Sequence, residues 1–84
     1  MPVLARFYGI VIRMYFLRSE HNPPHIHAIY GEDAAALDIR TGEIIDGHLP
    51  KRAASLVREW MGPYREELLT MWETQEFKKL ESLE

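Results

Sequence analysis

Apolar and polar positions alternate through the first half of the chain, a pattern typical of half-buried β-strands. Residues 3–8 and 10–18 are rich in β-branched and aromatic types, and Gly9 between them predicts a hairpin. Because side chains alternate along a strand, one set of positions is assigned to the core: Val3, Ala5, Phe7, Ile10, Ile12, Met14 and Phe16. The opposite set is assigned to the second face of the sheet: Leu4, Arg6, Tyr8, Val11, Arg13, Tyr15 and Leu17.

A third strand is predicted from about His25, after a loop over residues 19–24. Pro23 and Pro24 have no N–H groups, so ladder hydrogen bonds are expected only beyond them. Alternation then places an apolar trio on the core: Ile26, Ala28 and Tyr30. The two histidines of this strand, His25 and His27, are expected on the second face, beside the arginines and tyrosines.

Turn residues delimit two further strands. The Gly31-Glu32-Asp33 segment predicts a turn into a fourth strand over residues 35–40. Thr41-Gly42 predicts another turn into a short fifth strand, from Glu43 to Asp46.

The second half of the chain changes to helical periodicity. Pro50 suits the first position of a helix. Apolar residues follow at the spacing of one helix face: Ala53, Leu56, Val57, Trp60 and Met61. Gly62-Pro63 predicts a break and a second helix, whose apolar stripe is Tyr64, Leu68, Met71 and Trp72. We therefore expect two helices over about residues 50–77 and a frayed tail over 78–84, with both tryptophans in the core.

Strands followed by helices indicate the α+β class. We expect one domain over residues 1–84: a small antiparallel sheet of four to five strands, over about residues 3–46, with two C-terminal helices packed on one face. The other face of the sheet is then left partly open, and it is the predicted functional surface.

Composition narrows the function classes. The chain has no cysteine, which excludes disulfides and thiolate metal ligands and is typical of a cytoplasmic protein. No apolar run approaches the roughly 20 residues of a membrane span, and no signal-peptide pattern is present, so no membrane association is expected. A net charge of −3 disfavours nucleic-acid binding through phosphates.

The sharpest chemical feature is the histidine cluster, since three of the four histidines fall within residues 21–27. Residues i and i+2 of a strand lie roughly 6.5–7 Å apart on one face, so His25 and His27 could share a metal ion, with His21 as a third ligand. Glu32, Asp33 and His48 are the other candidate ligands. The alternative is structural: the histidines hydrogen-bond loop carbonyls near the prolines and stack on Tyr8 or Tyr15.

The remaining candidates are arginines and helices. Arg6, Arg13 and Arg40 could bind a carboxylate or phosphate on the histidine face, or pair with Asp38. The candidate functional surface is therefore His25, His27, Arg6, Arg13, Tyr15 and Arg40. Two helices joined at Gly62-Pro63 suggest a DNA-binding helix-turn-helix, although an acidic second helix would repel phosphates.

Enzymatic activity is not predicted, because no cysteine is present and neither Ser19 nor Ser55 has the context of a catalytic triad. No cofactor is expected, and a divalent metal used by the His-x-His pair, for binding or for hydrolysis, is the alternative.

In its Pro23-Pro24-His25-Ile26-His27 motif, the chain resembles the small bacterial proteins of domain of unknown function 4160. Later residues extend the resemblance over nearly the whole chain: Gly47 to Ala53, Val57, Glu59-Trp60, Glu67-Leu68 and Trp72. The family has no established activity. Its gene neighbourhood implies a member of a toxin–antitoxin-like pair, here the antitoxin-like one. The resulting hypothesis is a protein-interaction module that binds a small protein encoded nearby or another copy of itself. The alternatives are a metal-binding protein and a regulator that binds its own operon.

Overall fold

Five strands precede one long helix in the computed structural model, which describes residues 2–15 and 23–83. The elements are β1 Val3–Phe7, β2 Ile10–Arg13, β3 His25–Tyr30, β4 Asp33–Asp38, β5 Ile44–Gly47 and α1 Lys51–Thr74. The strands form one sheet in chain order, and each pairs antiparallel with the next. The α+β class and the antiparallel sheet are confirmed.

The first hairpin turns through two residues, Tyr8 and Gly9. Phe7 pairs with Ile10 across the turn, and both turn residues have positive φ, 49° and 80°. A type I′ turn requires this combination, because its backbone twist matches that of the flanking strands. The hairpin predicted from Gly9 is therefore confirmed.

The assignment of side chains to faces was wrong at the start of β1. The register shifts between Val3 and Ala5, so Leu4 is an extra residue in a bulge. Leu4 is fully buried and Val3 only half-buried, the reverse of the expectation from strict alternation. A bulge inverts the alternation on one side of itself, and no turn residue in the sequence signals it.

The core lies between one face of the sheet and α1. Ile12, Ile26 and Leu37 are fully buried on the sheet, and Val57 and Trp60 are buried on the helix. Two arginines tie α1 to the connection between β4 and β5: Arg58 Nε donates to the Gly42 carbonyl (2.8 Å) and Arg65 Nε to the Ile39 carbonyl (3.2 Å). Within residues 2–15 and 23–83, no helix combines the length and the apolar character needed to cross a bilayer.

The expectation of two helices was wrong, because α1 runs through Gly62-Pro63 without ending. Proline removes one helical N–H and crowds the carbonyl four residues earlier, so this passage needs compensation. The buried stripe supplies it: Trp60, Met61, Leu68 and Met71 lie at helical spacing on both sides of the proline. Ending the helix would expose that stripe. The helix-turn-helix hypothesis loses its geometric basis, since it needs two helices.

Replacing Pro63 by alanine is expected to raise the free energy of unfolding by up to about 3 kcal/mol, because it restores an N–H donor inside α1 and removes the ring's crowding. Gly62→Ala is the matched variant. A Cβ there meets nothing within 4 Å, so only helix propensity should change, by about 1 kcal/mol. Urea unfolding measures both. A loss of stability in Pro63→Ala would show that the core requires the course the proline imposes on the helix.

The chain beyond α1 returns to the sheet. Gln75 ends the helix in the left-handed conformation, with its N–H bonded to the Met71 carbonyl. Leu80 N–H then donates to the Leu4 carbonyl (2.8 Å), and Trp60 Nε1 donates to the Glu81 carbonyl (2.8 Å). The weak periodicity after Phe77 predicted a frayed tail, whereas the apolar residues of this segment pack on the core: Phe77, Leu80 and Leu83. We call residues 75–83 the return segment.

Candidate functional site

The sheet register aligns four residues in a row on the face away from α1. Arg13 of β2 lies opposite His27 of β3, His27 opposite Ala36 of β4, and Ala36 opposite Asp46 of β5. Neighbours in such a row have Cβ atoms about 4.5–5.5 Å apart, so their side chains can contact one another. The row brings basic, imidazole and acidic groups onto one strip of the sheet.

His25 begins β3 and is held by its own loop. Its Nδ1 lies 2.8 Å from the Pro23 carbonyl oxygen. A carbonyl can only accept, so Nδ1 carries the proton and donates it. The ring is 9% exposed and lies 4.8 Å from the Trp72 ring of α1 and 5.1 Å from the His27 ring. Alternation placed His25 away from the helix, but at this end of the sheet its ring contacts α1.

His27 is the more accessible of the two histidines. It is half-buried, and its ring lies 4.1 Å from the Tyr15 ring at 40°. The His25–Pro23 hydrogen bond and this stacking are two of the contacts that the structural interpretation of the histidine pair predicts, with Tyr15 as the stacking partner. His25, His27 and Tyr15 form one aromatic cluster at the start of β3.

An open groove of about 600 Å³ lies beside this cluster. Its lining residues are Tyr15, Pro23, His25, His27, Ala36, Ile45 and Asp46. Ile45 is 43% exposed, a large fraction for an isoleucine. Neither Ile45 nor Asp46 is among the residues predicted for the functional surface. The signal for both was present in the predicted fifth strand, because the last strand of a consecutive antiparallel sheet is an edge strand.

The three candidate arginines lie in different places. Only Arg13 is in the histidine row; its Nε is buried and has no hydrogen-bond partner among the described residues. Arg6 is exposed and pairs with Val11 at the far side of the sheet, in another row. Arg40 follows the end of β4, where its backbone N–H donates to Asp38 Oδ1 (2.7 Å). The structure therefore joins Arg13 to the histidines and leaves Arg6 and Arg40 outside the cluster.

Asp38 does not form the ion pair that the sequence suggested. Its Oδ1 accepts the backbone N–H groups of Arg40 and Thr41, at 2.7 and 3.3 Å, and so closes the turn after β4. Among the described residues, Lys78 Nζ and Glu67 Oε2 form an ion pair between exposed groups 3.2 Å apart.

Metal binding has a partial basis in this cluster. Donation by Nδ1 leaves Nε2 of a neutral His25 as an acceptor, the arrangement found in metal-ligating histidines. No group of three or more His, Asp or Glu side chains suited to a metal occurs in the described part of the chain. Asp33 pairs with Tyr30 at the opposite end of β3. The metal hypothesis depends on His21, which lies outside the described residues.

Comparison with known proteins places the chain in one family. The family model described as Domain of unknown function (DUF4160) matches residues 9–73, which include every strand after β1 and almost all of α1. The match confirms the resemblance inferred from the sequence. No curated protein and no solved structure matches the chain.

Proposed function

The chain belongs to the Domain of unknown function (DUF4160) family, and from its groove and its open strand edge we propose that it is a protein-interaction module. An extended segment of a partner protein pairs with β5 and places side chains in the groove beside His27 and Ile45. The observation that carries the proposal is the difference between the two edges of the sheet.

The two edge strands are treated differently by the rest of the fold. β1 is covered at Leu4, whose carbonyl accepts the Leu80 N–H of the return segment. β5 is the last strand of the sheet, and no described strand pairs with its outer side. An uncovered edge offers unpaired N–H and C=O groups, which a strand from another chain can satisfy. The covered β1 edge cannot accept such a strand at Leu4.

The groove provides selectivity for the side chains of the partner, which a strand edge alone does not provide. Binding by strand addition takes affinity from backbone hydrogen bonds and specificity from pockets for alternate side chains. Ile45 and Asp46 belong to both the edge and the groove, while His27 and Tyr15 form the aromatic wall. A partner residue with an apolar stem would contact Ile45 and the aromatic rings.

The charge on β5 favours a different protein over a second copy as the partner. In an antiparallel pair of β5 strands whose register sets Asp46 opposite Asp46, two like charges would face each other, and like charges facing across strands destabilise a sheet. A partner strand that carries a lysine or arginine near Asp46 gains an opposite charge instead. The small protein implied by the family's gene neighbourhood is the first partner to test.

Ile45→Lys is expected to weaken binding of the neighbouring gene's product about tenfold or more. A lysine on an edge strand blocks strand addition, and the exposed site leaves the fold intact. Size-exclusion chromatography with light scattering detects the complex, and isothermal titration calorimetry gives its Kd.

Ser55→Lys is the matched control, since it adds the same charge on an exposed position of α1. Its affinity should equal that of the unsubstituted protein. A complex that tolerates Ile45→Lys, or the absence of any complex with the neighbouring product, would refute the proposal. If the protein alone forms a dimer, and Ile45→Lys dissociates that dimer, the partner at β5 is a second copy of the chain and not a different protein.

A further inference from the structure

A second, smaller pocket lies at the other end of the sheet, between the first hairpin, the end of β3 and the start of α1. Its volume is about 140 Å³, and it is lined by Tyr8, Ile10, Tyr30, Pro50, Arg52, Ala53 and Leu56. It shares no lining residue with the groove, since β3 contributes His25 and His27 to the groove and Tyr30 to this pocket. The two are separate sites on one domain.

Tyr8 occupies the turn at a conformational cost. Its φ of 49° is left-handed, a region that asparagine and glycine enter easily and bulky side chains seldom do. The side chain is nevertheless 52% exposed, so burial in the core does not explain a tyrosine here. Strain of this kind concentrates at functional positions. The turn therefore presents an aromatic ring at the mouth of the pocket, where asparagine would form the turn more easily.

Tyr30 forms the facing wall. A Cβ on Gly9 would lie 3.4 Å from Tyr30 Cε1, so the Tyr30 ring packs against the bare backbone of the turn. Tyr30 is 40% exposed, so much of the residue remains accessible. Ile10, Ala53 and Leu56 also line the pocket, so much of its lining is apolar. An apolar cavity of about 150 Å³ is known to accept benzene, so this volume fits one six-membered ring.

The charge of the residues around the pocket indicates which substituent a bound aromatic ring would carry. Arg52 lines the pocket and Lys51 precedes it, whereas the pocket's lining and the first turn of α1 contain no acidic residue. Arg52 forms none of the ion pairs found among the described residues. Its guanidinium is suited to bidentate recognition of a carboxylate. We propose that this pocket binds a small aromatic monocarboxylate, with the ring between Tyr8 and Tyr30 and the carboxylate on Arg52.

Benzoate is the probe, and benzyl alcohol is its neutral counterpart. In titrations of ¹⁵N-labelled protein followed by NMR, benzoate should produce saturable shifts of the amide signals of residues 8–10, 30 and 52–56. The expected Kd is on the order of 1 mM, as a small ligand of few atoms allows. Arg52→Gln should weaken benzoate binding about tenfold and leave benzyl alcohol unaffected.

Tyr8→Asn separates a binding role from a structural one. Asparagine suits a type I′ turn, so this variant should melt no lower than the unsubstituted protein while its affinity for benzoate falls about tenfold or more. Tyr8→Phe, which keeps the ring, should retain affinity. Both variants leave the groove intact, so partner binding through β5 is not affected.

Any one of three results from these titrations and variants would overturn the inference. They are shifts that do not saturate, full affinity in Tyr8→Asn, and equal weakening of benzoate and benzyl alcohol by Arg52→Gln. If a peptide with a C-terminal phenylalanine binds here and benzoate does not, the pocket recognises a protein terminus and the small-molecule assignment is wrong.

Discussion

Trp60→Ala is expected to lower the free energy of unfolding by about 3–5 kcal/mol, the usual cost of truncating a buried aromatic side chain. Trp60 is 1% exposed, and its ring lies 5.7 Å from that of Phe7 on β1 and 5.4 Å from that of Tyr64 on the next turn of α1. A domain of this length has a total stability of about 4–13 kcal/mol. The loss is therefore a large part of the total stability, and urea unfolding or a thermal melt measures it.

Trp60→Phe isolates the hydrogen bond from the packing. Phenylalanine keeps a ring in the core and loses the Nε1 donation to the Glu81 carbonyl, which should cost about 1 kcal/mol beyond the smaller ring. Faster amide exchange in the return segment would accompany that loss. If Trp60→Phe left exchange at residues 78–83 unchanged, the bond to Glu81 would not be what holds this segment on β1. A loss below about 1 kcal/mol in Trp60→Ala would contradict the central place of this ring in the core.

The architecture could be predicted from the sequence because two signals agree along the chain. Period-two alternation with turn residues at Gly9, Gly31 and Gly42 predicts consecutive hairpins, and each forms. Two features depend on the tertiary structure and could not be predicted from these two signals. Leu4 enters the core through a bulge, and α1 continues through Pro63 because the stripe it buries outweighs the local cost of proline.

The candidate site was predicted in part. Alternation correctly grouped His27, Tyr15 and Arg13, because neighbouring antiparallel strands align residues of one face. It failed for Arg40, whose position follows β4, and it could not foresee the contact of His25 with Trp72, which depends on where the helix crosses the sheet. Ile45 was overlooked for a different reason: it gains importance only as a member of an uncovered edge.

The backbone conformation of Tyr8 departs from what its residue type and the strand pattern predict. The sequence placed Tyr8 on the second face of a strand, whereas it is a turn residue with positive φ, next to a glycine that also has positive φ. A bulky residue disfavours this conformation, and Tyr8 adopts it while exposed to solvent. Leu4 and Pro63 also depart from the pattern expected from the sequence, but there burial of apolar side chains in the core explains the departure. The combination of a strained backbone and an exposed ring at Tyr8 is the observation behind the binding role proposed for this pocket.

Gly47→Ala is expected to lower the free energy of unfolding by roughly 2–5 kcal/mol, through a backbone collision and a conformational penalty that act together. Gly47 has a φ of 79° at the end of β5, a conformation in which an L side chain is strained. A Cβ there would strike the Ala34 carbonyl oxygen and lie 3.0 Å from Ala35 Cα. Backbone atoms of β4 cannot rotate away as a side chain would, so β5 must move.

Gly31→Ala is the matched control, since Gly31 also has positive φ, 61°, but a Cβ there meets nothing within 4 Å. It should cost only the left-handed penalty, roughly 1–2 kcal/mol. Urea unfolding measures the free energy of unfolding that each variant loses. The extra loss in Gly47→Ala is the free energy needed to displace β5. The Ala34 carbonyl also accepts the His48 N–H at 3.0 Å, which fixes the same end of the strand. Equal losses would mean that β5 yields freely, and an edge that yields freely is not a preformed surface for a partner strand.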